Sequence, residues 1–307
     1  MNIKKVIIWG YKLHSHTHSY IHHGFYKAFK SMGYDTYWFT DIDDVSGFNF
    51  ENCLFITASD QEKNIPIRKD CYYVLHNVNS EKYINSSCNI LTLQVNTSDS
   101  IKRVKDGDII FNNYSFLSKG EIDCLYTCWA TDLLPEEIDI SNAKNIVSGD
   151  KYCLWAGTYG DNTSTFQNGT ELEPFFRECE KNGIILKLIN PWASPISFED
   201  NSRLVNESYI SPTIQGPWQI ENRYIPCRIF KNISYGHYGY TNSEAVNDIF
   251  EGSLIYDRDP VNLFNKIIEK KNDPNHINEL KFLMNEVKEK HTYINRIKLI
   301  IECIKCI

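Results

Sequence analysis

Val6-Ile7-Ile8-Trp9 is an unbroken apolar run that stops at Gly10, and the order of the segments behind it decides the kind of chain this is. After a polar loop, Ile21, Phe25, Phe29 and Met32 recur at spacings of four, four and three, the period of a helix, and Gly33 supplies a C-terminal stop. Residues 34–39 then read as a second strand. Strand, helix, strand in this order is a βαβ unit, and the right-handed crossover makes its two strands parallel.

Short apolar runs continue at residues 53–57, 71–78, 90–95 and 109–111, separated by polar segments, so the first half reads as an open α/β sheet. Near Trp129 the texture changes, and residues 136–149 are polar without periodicity, as a linker is. A second α/β series comes next. Residues 152–156 and 183–189 read as strands around a helix starting near Thr170, where Thr170 and Glu173 have capping-box spacing. Residues 209–214 suit another strand, 226–235 a helix, 238–241 a strand, 243–250 a helix and 254–256 a last strand. Asp259-Pro260 starts a helix to Lys271, and Ile294, Ile297, Ile301 and Ile304 form one apolar stripe on a final helix. The expectation is two Rossmann-like α/β domains, residues 1–137 and 138–307, with the last helix free to pack back on the first.

A chain of 307 residues with 42% hydrophobic side chains has the material for two such cores. Its net charge of −7 offers no basic face to a polyanion, so no nucleic-acid partner is expected. No stretch approaches the roughly 18 apolar residues of a membrane span, and the first apolar run is too short for a signal-peptide core. The ten cysteines are scattered without compact disulfide spacing, which suits reduced, buried thiols in a cytoplasmic protein. Cys124 with Cys128, and Cys303 with Cys306, lack the second pair a zinc site needs.

The densest polar signal is His14-Ser15-His16-Thr17-His18-Ser19, with His22 and His23 just inside the helix. It lies beyond the first strand, at the carboxyl edge where open α/β sheets place ligands. A His-x-His pair here suits a metal, for which His76 and Asp60 are the only further ligands placed to help. It better suits a neutral imidazole acting as general base or substrate contact, and for that role His16 and His18 are the candidates. Solvated loop histidines are the plain alternative.

The second signal is Ile225 to Glu244. On a helix Arg228 and Lys231 share a face, while Ile229 and Ile233 share the opposite one. Two cations above the turn at Gly236 match a diphosphate, and the helix starting near Ser243 adds N–H groups. The competing reading is a solvated basic helix and, after it, a capping box from Thr241 to Glu244.

The order Ile-Pro-x-Arg-x-Phe-Lys-Asn-Ile-Ser-Tyr-Gly, then Thr-Asn-Ser, Asp248-Ile249-Phe250-Glu251-Gly252 and residues 257–263, resembles the donor-binding domain of GT-B glycosyltransferases. The likeness is greatest to the spore-maturation CgeB-type proteins. It extends over about residues 150–307 and includes a closing His291-Thr292-Tyr293-x-x-Arg296 segment. The resemblance implies two Rossmann-like domains facing across a cleft, a nucleotide-sugar on the C-terminal one, an acceptor mainly on the N-terminal one, and no metal or other cofactor. Many relatives carry a glutamate before the glycine to hold the ribose. Lys231 stands in that place here, and Arg228 to Asn232 instead resembles the Lys-x-x-Arg-Asn run of GT-B fucosyltransferases. Glu244 is left as the substitute ribose contact.

By the same likeness Gly157, Thr158, Pro212 and Thr213 join Arg228, Lys231, Gly236, Thr241, Asn242, Ser243 and Glu244 on the donor side. Asp132, Trp218 and Gln219 fall on the acceptor side. The function expected is transfer of a hexosyl or deoxyhexosyl group from a nucleoside-diphosphate sugar, UDP favoured and GDP open, to a glycan or glycoconjugate. The alternatives are a non-catalytic nucleotide- or sugar-binding protein and, behind it, a histidine-cluster metal hydrolase.

Overall fold

The computed structural model describes residues 3–12, 17–58, 61–76, 78, 80–94, 109–111, 114–119, 122–143, 151–157, 159, 168–191 and 193–305. They fall into two compact units, and the first break comes after Asp132, ahead of the position read from the sequence.

The first unit is built on β1 (Lys5–Trp9), α1 (Thr17–Ser31), β2 (Thr36–Phe39), β3 (Cys53–Ala58), β4 (Tyr72–His76), α2 (Glu81–Asn85), β5 (Asn89–Gln94), β6 (Ile109–Phe111), β7 (Tyr114–Lys119) and β8 (Ile122–Tyr126). Its eight-stranded sheet runs β2-β1-β3-β4-β5-β8-β7-β6. The first six strands are parallel, and β7 and β6 extend the sheet antiparallel. Covering both faces of a parallel sheet demands near-continuous apolar strands. Accordingly Val6 to Trp9 and Cys53 to Ala58 are all buried. Ile21, Phe25 and Phe29 are the buried stripe of α1, as their spacing predicts. The β7–β8 hairpin escaped the apolar-run reading because Ser115, Ser118 and Asp123 interrupt it.

The second unit comprises β9 (Tyr152–Ala156), α3 (Asn168–Lys181), β10 (Ile185–Ile189), α4 (Phe198–Glu207), α5 (Pro217–Glu221), α6 (Cys227–Ser234), β11 (Tyr240–Thr241), α7 (Glu244–Ile249), β12 (Ile255–Tyr256), α8 (Pro260–Lys271) and α9 (His276–Lys290). β10 pairs with β9, Cys153 bridges to Ile210, Thr213 bridges to Thr241, and β11 pairs with β12, all parallel. Laid out, this is the order second, first, third, fourth, fifth, the same as in the leading strands of the first unit. In both units the order reverses beside the first strand, which makes its carboxyl end the switch point where such sheets bind ligands.

Two local expectations are corrected. Residues 209–214 contribute isolated bridges rather than a strand, because Pro212 has no N–H to donate to a ladder. The capping box at Thr170 is absent, since α3 begins at Asn168 and Thr170 lies inside it. Asp259 does cap α8, accepting from the N–H groups of Val261 and Asn262.

The last helix, α10 (Tyr293–Ile304), belongs to the first unit. Its buried face is Tyr293, Arg296, Ile297, Ile300, Cys303 and Ile304, rotated from the isoleucine stripe, and Ile294 and Ile301 are half-buried. Two contacts cause the rotation. The Tyr293 ring lies where a side chain on Gly24 of α1 would be, 4.6 Å from the Phe25 ring. The Arg296 guanidinium turns inward to the carbonyls of Cys128 and Trp129, at 2.9 and 3.0 Å, and to the Cys128 sulfur.

Candidate functional site

Arg228 stands on the first turn of α6 and reaches the end of β9. Its guanidinium lies 3.6 Å above the Trp155 ring and donates to the Ala156 carbonyl at 2.9 Å. Gly157, at φ 156, lets it lie flat against the backbone, because a Cβ there would meet the Nη2 atom. Burial pushes the guanidinium down to about 10 from the usual arginine value, and no carboxylate among the described residues offsets this. An arginine carries five N–H donors, and only one is used by a described residue. The arrangement is a desolvated cation with donors to spare, set at the switch point of the second sheet.

Around the same carboxyl edge stand other polar groups. Thr213 Oγ1 and Ser243 Oγ are buried without partners among the described residues. Asn242 accepts from the Gln215 N–H at 2.8 Å and donates to its carbonyl at 3.0 Å, pinning the loop that leads into α5. Thr241 Oγ1 accepts from the Ser243 N–H, so the expected capping box is replaced by a turn in which Ser243 caps α7 without using its side chain. Glu171 and Arg258, 87 residues apart, form a two-bonded ion pair at 2.6 and 2.9 Å, and Glu171 also accepts from Asn242 at 3.4 Å. Sequence reading missed Trp155, Glu171 and Arg258. No local pattern marks them, since their partners are brought in only by the sheet.

The remaining donor-side candidates are dispersed. Lys231 is buried and donates to Asn201 Oδ1 at 3.4 Å, towards α4. Gly236, at φ 95, ends α6 against the carbonyl of Asn142, where a Cβ would come within 2.5 Å, a packing requirement of its own unit. Glu244 is exposed at the start of α7, and Pro212 is buried. Thr158 lies outside the described residues. On the acceptor side, Trp218 is exposed and Gln219 half-buried on α5. Asp132, in the first unit, is buried and accepts from the Tyr20 hydroxyl at 2.7 Å.

The histidine signal resolves in part. His16 and Asp60 lie outside the described residues. His18 begins α1 half-buried, its ring edge-on to His76 at 5.2 Å. His76 ends β4, buried, with neither ring nitrogen bonded among the described residues, and packs edge-on to Trp129 at 4.3 Å. Burial, then the charges of His18 and His22, hold His76 well below the usual histidine range, so it is neutral. The His22 ring lies against Gly10, at φ 159, as Arg228 lies against Gly157. Among the described residues there is no group of three or more histidine, cysteine or acidic side chains placed to hold a metal.

No family model and no curated protein matches the chain. Among solved structures, an alpha-glucosyltransferase in complex with UDP and a 13-mer DNA containing an HMU base aligns over 99% of this chain and 100% of its own, at TM-score 0.50 and 10% identity. An alpha-glucosyltransferase with UDP and a 13-mer DNA carrying a central A:G mismatch, and one with UDP, align at TM-scores of 0.48 and 0.47, each at 10% identity over 95% of this chain and 96% of theirs. The fold is GT-B. The expectation of no nucleic-acid partner is corrected by the same finding: a protein with this fold has been solved holding DNA, so net charge summed over the chain does not exclude one. Charge acts locally, and a basic patch can sit on an acidic whole.

Proposed function

We propose that the protein is a glycosyltransferase that uses a nucleoside-diphosphate sugar, with the diphosphate on Arg228. The observation that carries this reading is the half-buried guanidinium with unclaimed donors at Gly157. A desolvated cation without a counter-charge is costly unless an anion joins it, and a pyrophosphate offers charge and paired acceptors. As the glycosidic bond to the diphosphate breaks, negative charge grows on the leaving oxygen, and a fixed guanidinium stabilises that charge without a metal ion. Thr213, Asn242, Ser243 and Glu244 line the base and ribose side, and UDP is the donor nucleotide favoured, as in the solved alpha-glucosyltransferase of the same fold. The likeness of residues 150–307 to CgeB-type donor domains supports the same assignment.

The acceptor is a hydroxyl, of a glycan, a glycoconjugate or a hydroxymethylated base in DNA. The last of these is the class suggested by the solved relative. With inversion, His16 or His18 takes the acceptor proton.

The test is binding of UDP and of uridine to wild type and Arg228→Ala. A charge-assisted phosphate contact is worth about 1.5–3 kcal/mol, so UDP affinity falls about tenfold or more while uridine affinity holds. Equal losses would make Arg228 structural. Turnover of a labelled UDP-sugar separates the enzyme from a binding protein, which shows ligand-induced stabilisation without product.

A further inference from the structure

The opposite, amino edge of the second sheet carries a cluster that the donor site does not use. Lys151 immediately precedes β9 and Lys271 ends α8, and their ammonium groups lie 4.8 and 4.6 Å from the centre of one ring, that of Tyr209. Neither lysine pairs with a carboxylate among the described residues. Their neighbour Lys270 does, meeting Asp273 at 2.8 Å and Glu279 at 2.6 Å, so the local acids are already engaged. His237, between α6 and β11, and His276, at the start of α9, are both buried, and Nδ1 of His276 has no partner among the described residues. Both ammonium groups lie over the Tyr209 ring as cation–π contacts, and with no carboxylate beside them among the described residues, two positive charges meet at one side chain in a chain of net charge −7.

We propose that Lys151, Lys271 and the Tyr209 hydroxyl form a second anion site, which takes a phosphate group. Like charges held together raise the free energy of the empty site, and a dianion relieves both at once. Burial, and then the charge of Lys151, push Lys271 down to about 8 from the usual lysine value. The site stands at the edge of the sheet remote from Gly157, so it is separate from the donor diphosphate. The phosphate comes either from a nucleic-acid backbone or from a small phosphorylated molecule.

The experiment uses the full chain with inorganic phosphate as probe, at constant ionic strength against chloride. Phosphate raises the melting temperature of the wild type, and Lys271→Gln and Lys151→Gln each weaken its binding about tenfold. Lys271→Arg, which keeps charge and stacking, retains it. Lys151 is exposed, so Lys151→Gln carries the test even if Lys271→Gln folds poorly. UDP affinity stays at the wild-type value in every variant. A 13-mer DNA duplex identifies the source. If it is the backbone, the slope of log affinity against log salt falls by about one for each lysine removed. An unchanged slope with phosphate binding lost assigns the site to small phosphates. Phosphate binding that is absent in the wild type, or equal in wild type and the Lys151→Gln, Lys271→Gln double variant, overturns the proposal.

Discussion

The guanidinium of Arg228 occupies the space that a side chain on residue 157 would need, so the two positions form one device. Gly157→Ala therefore displaces the cation without removing it. UDP affinity is expected to fall about tenfold, as for Arg228→Ala, with uridine affinity kept. The double variant should lose little beyond either single one, because both changes break the same contact. Calorimetric titration of the three variants reads this directly, and additive losses would show that the glycine acts on something else.

Arg296 is a buried cation of another kind, with its donors spent on Cys128 and Trp129 rather than held in reserve. Arg296→Met takes the guanidinium donors away from two buried carbonyls, a destabilisation of about 2–4 kcal/mol. Urea unfolding should show it as a lower midpoint, with Arg296→Lys in between.

Acid should unfold this protein through its neutral histidines. Burial, with Lys271 next in effect, pushes His237 down to about 3 and His276 down to about 4, from a usual value of 6.5. Below pH 6.5 the unfolded chain therefore binds more protons than the folded one, and stability falls as pH falls. The slope reaches about 1.4 kcal/mol per pH unit for each histidine and levels off once the folded state is protonated near pH 3–4. Urea midpoints measured from about pH 7 to about pH 4 should fall steadily in the wild type and less steeply in His276→Phe.

The catalytic assignment on the first unit has its own test. His16→Ala with His18→Ala should cut turnover about a hundredfold or more, because a general base commonly contributes about 10²–10⁴, while UDP affinity is unchanged. Wild-type turnover in the double variant would return the loop to acceptor binding or to solvent.

Much of this was legible in the chain. Parallel strands buried on both faces must be apolar runs, so β1, β3, β4 and β9 announce themselves, and Ile21, Phe25 and Phe29 do the same for α1. Arg228 was legible too, as a cation on a short amphipathic helix. Its neighbours were not. Trp155 is a strand residue like its fellows until the sheet brings Arg228 over it, and Glu171 meets Arg258 only because the fold brings α3 beside the chain leading into α8. The face of α10 misled because isoleucine spacing ignores an inward-turned arginine, which no hydrophobic pattern represents. Net charge misled about DNA for a related reason: a sum over the chain carries no position.

The place of α10 has a consequence for how the protein is made. The first unit consists of the beginning and the end of the chain, with residues 133–292 of the second unit between them. During synthesis Gly24 and Phe25 leave the ribosome long before Tyr293, and the carbonyls of Cys128 and Trp129 wait for Arg296. The second unit, whose body is continuous in sequence, can close first. The amino-terminal unit is then the last to be completed.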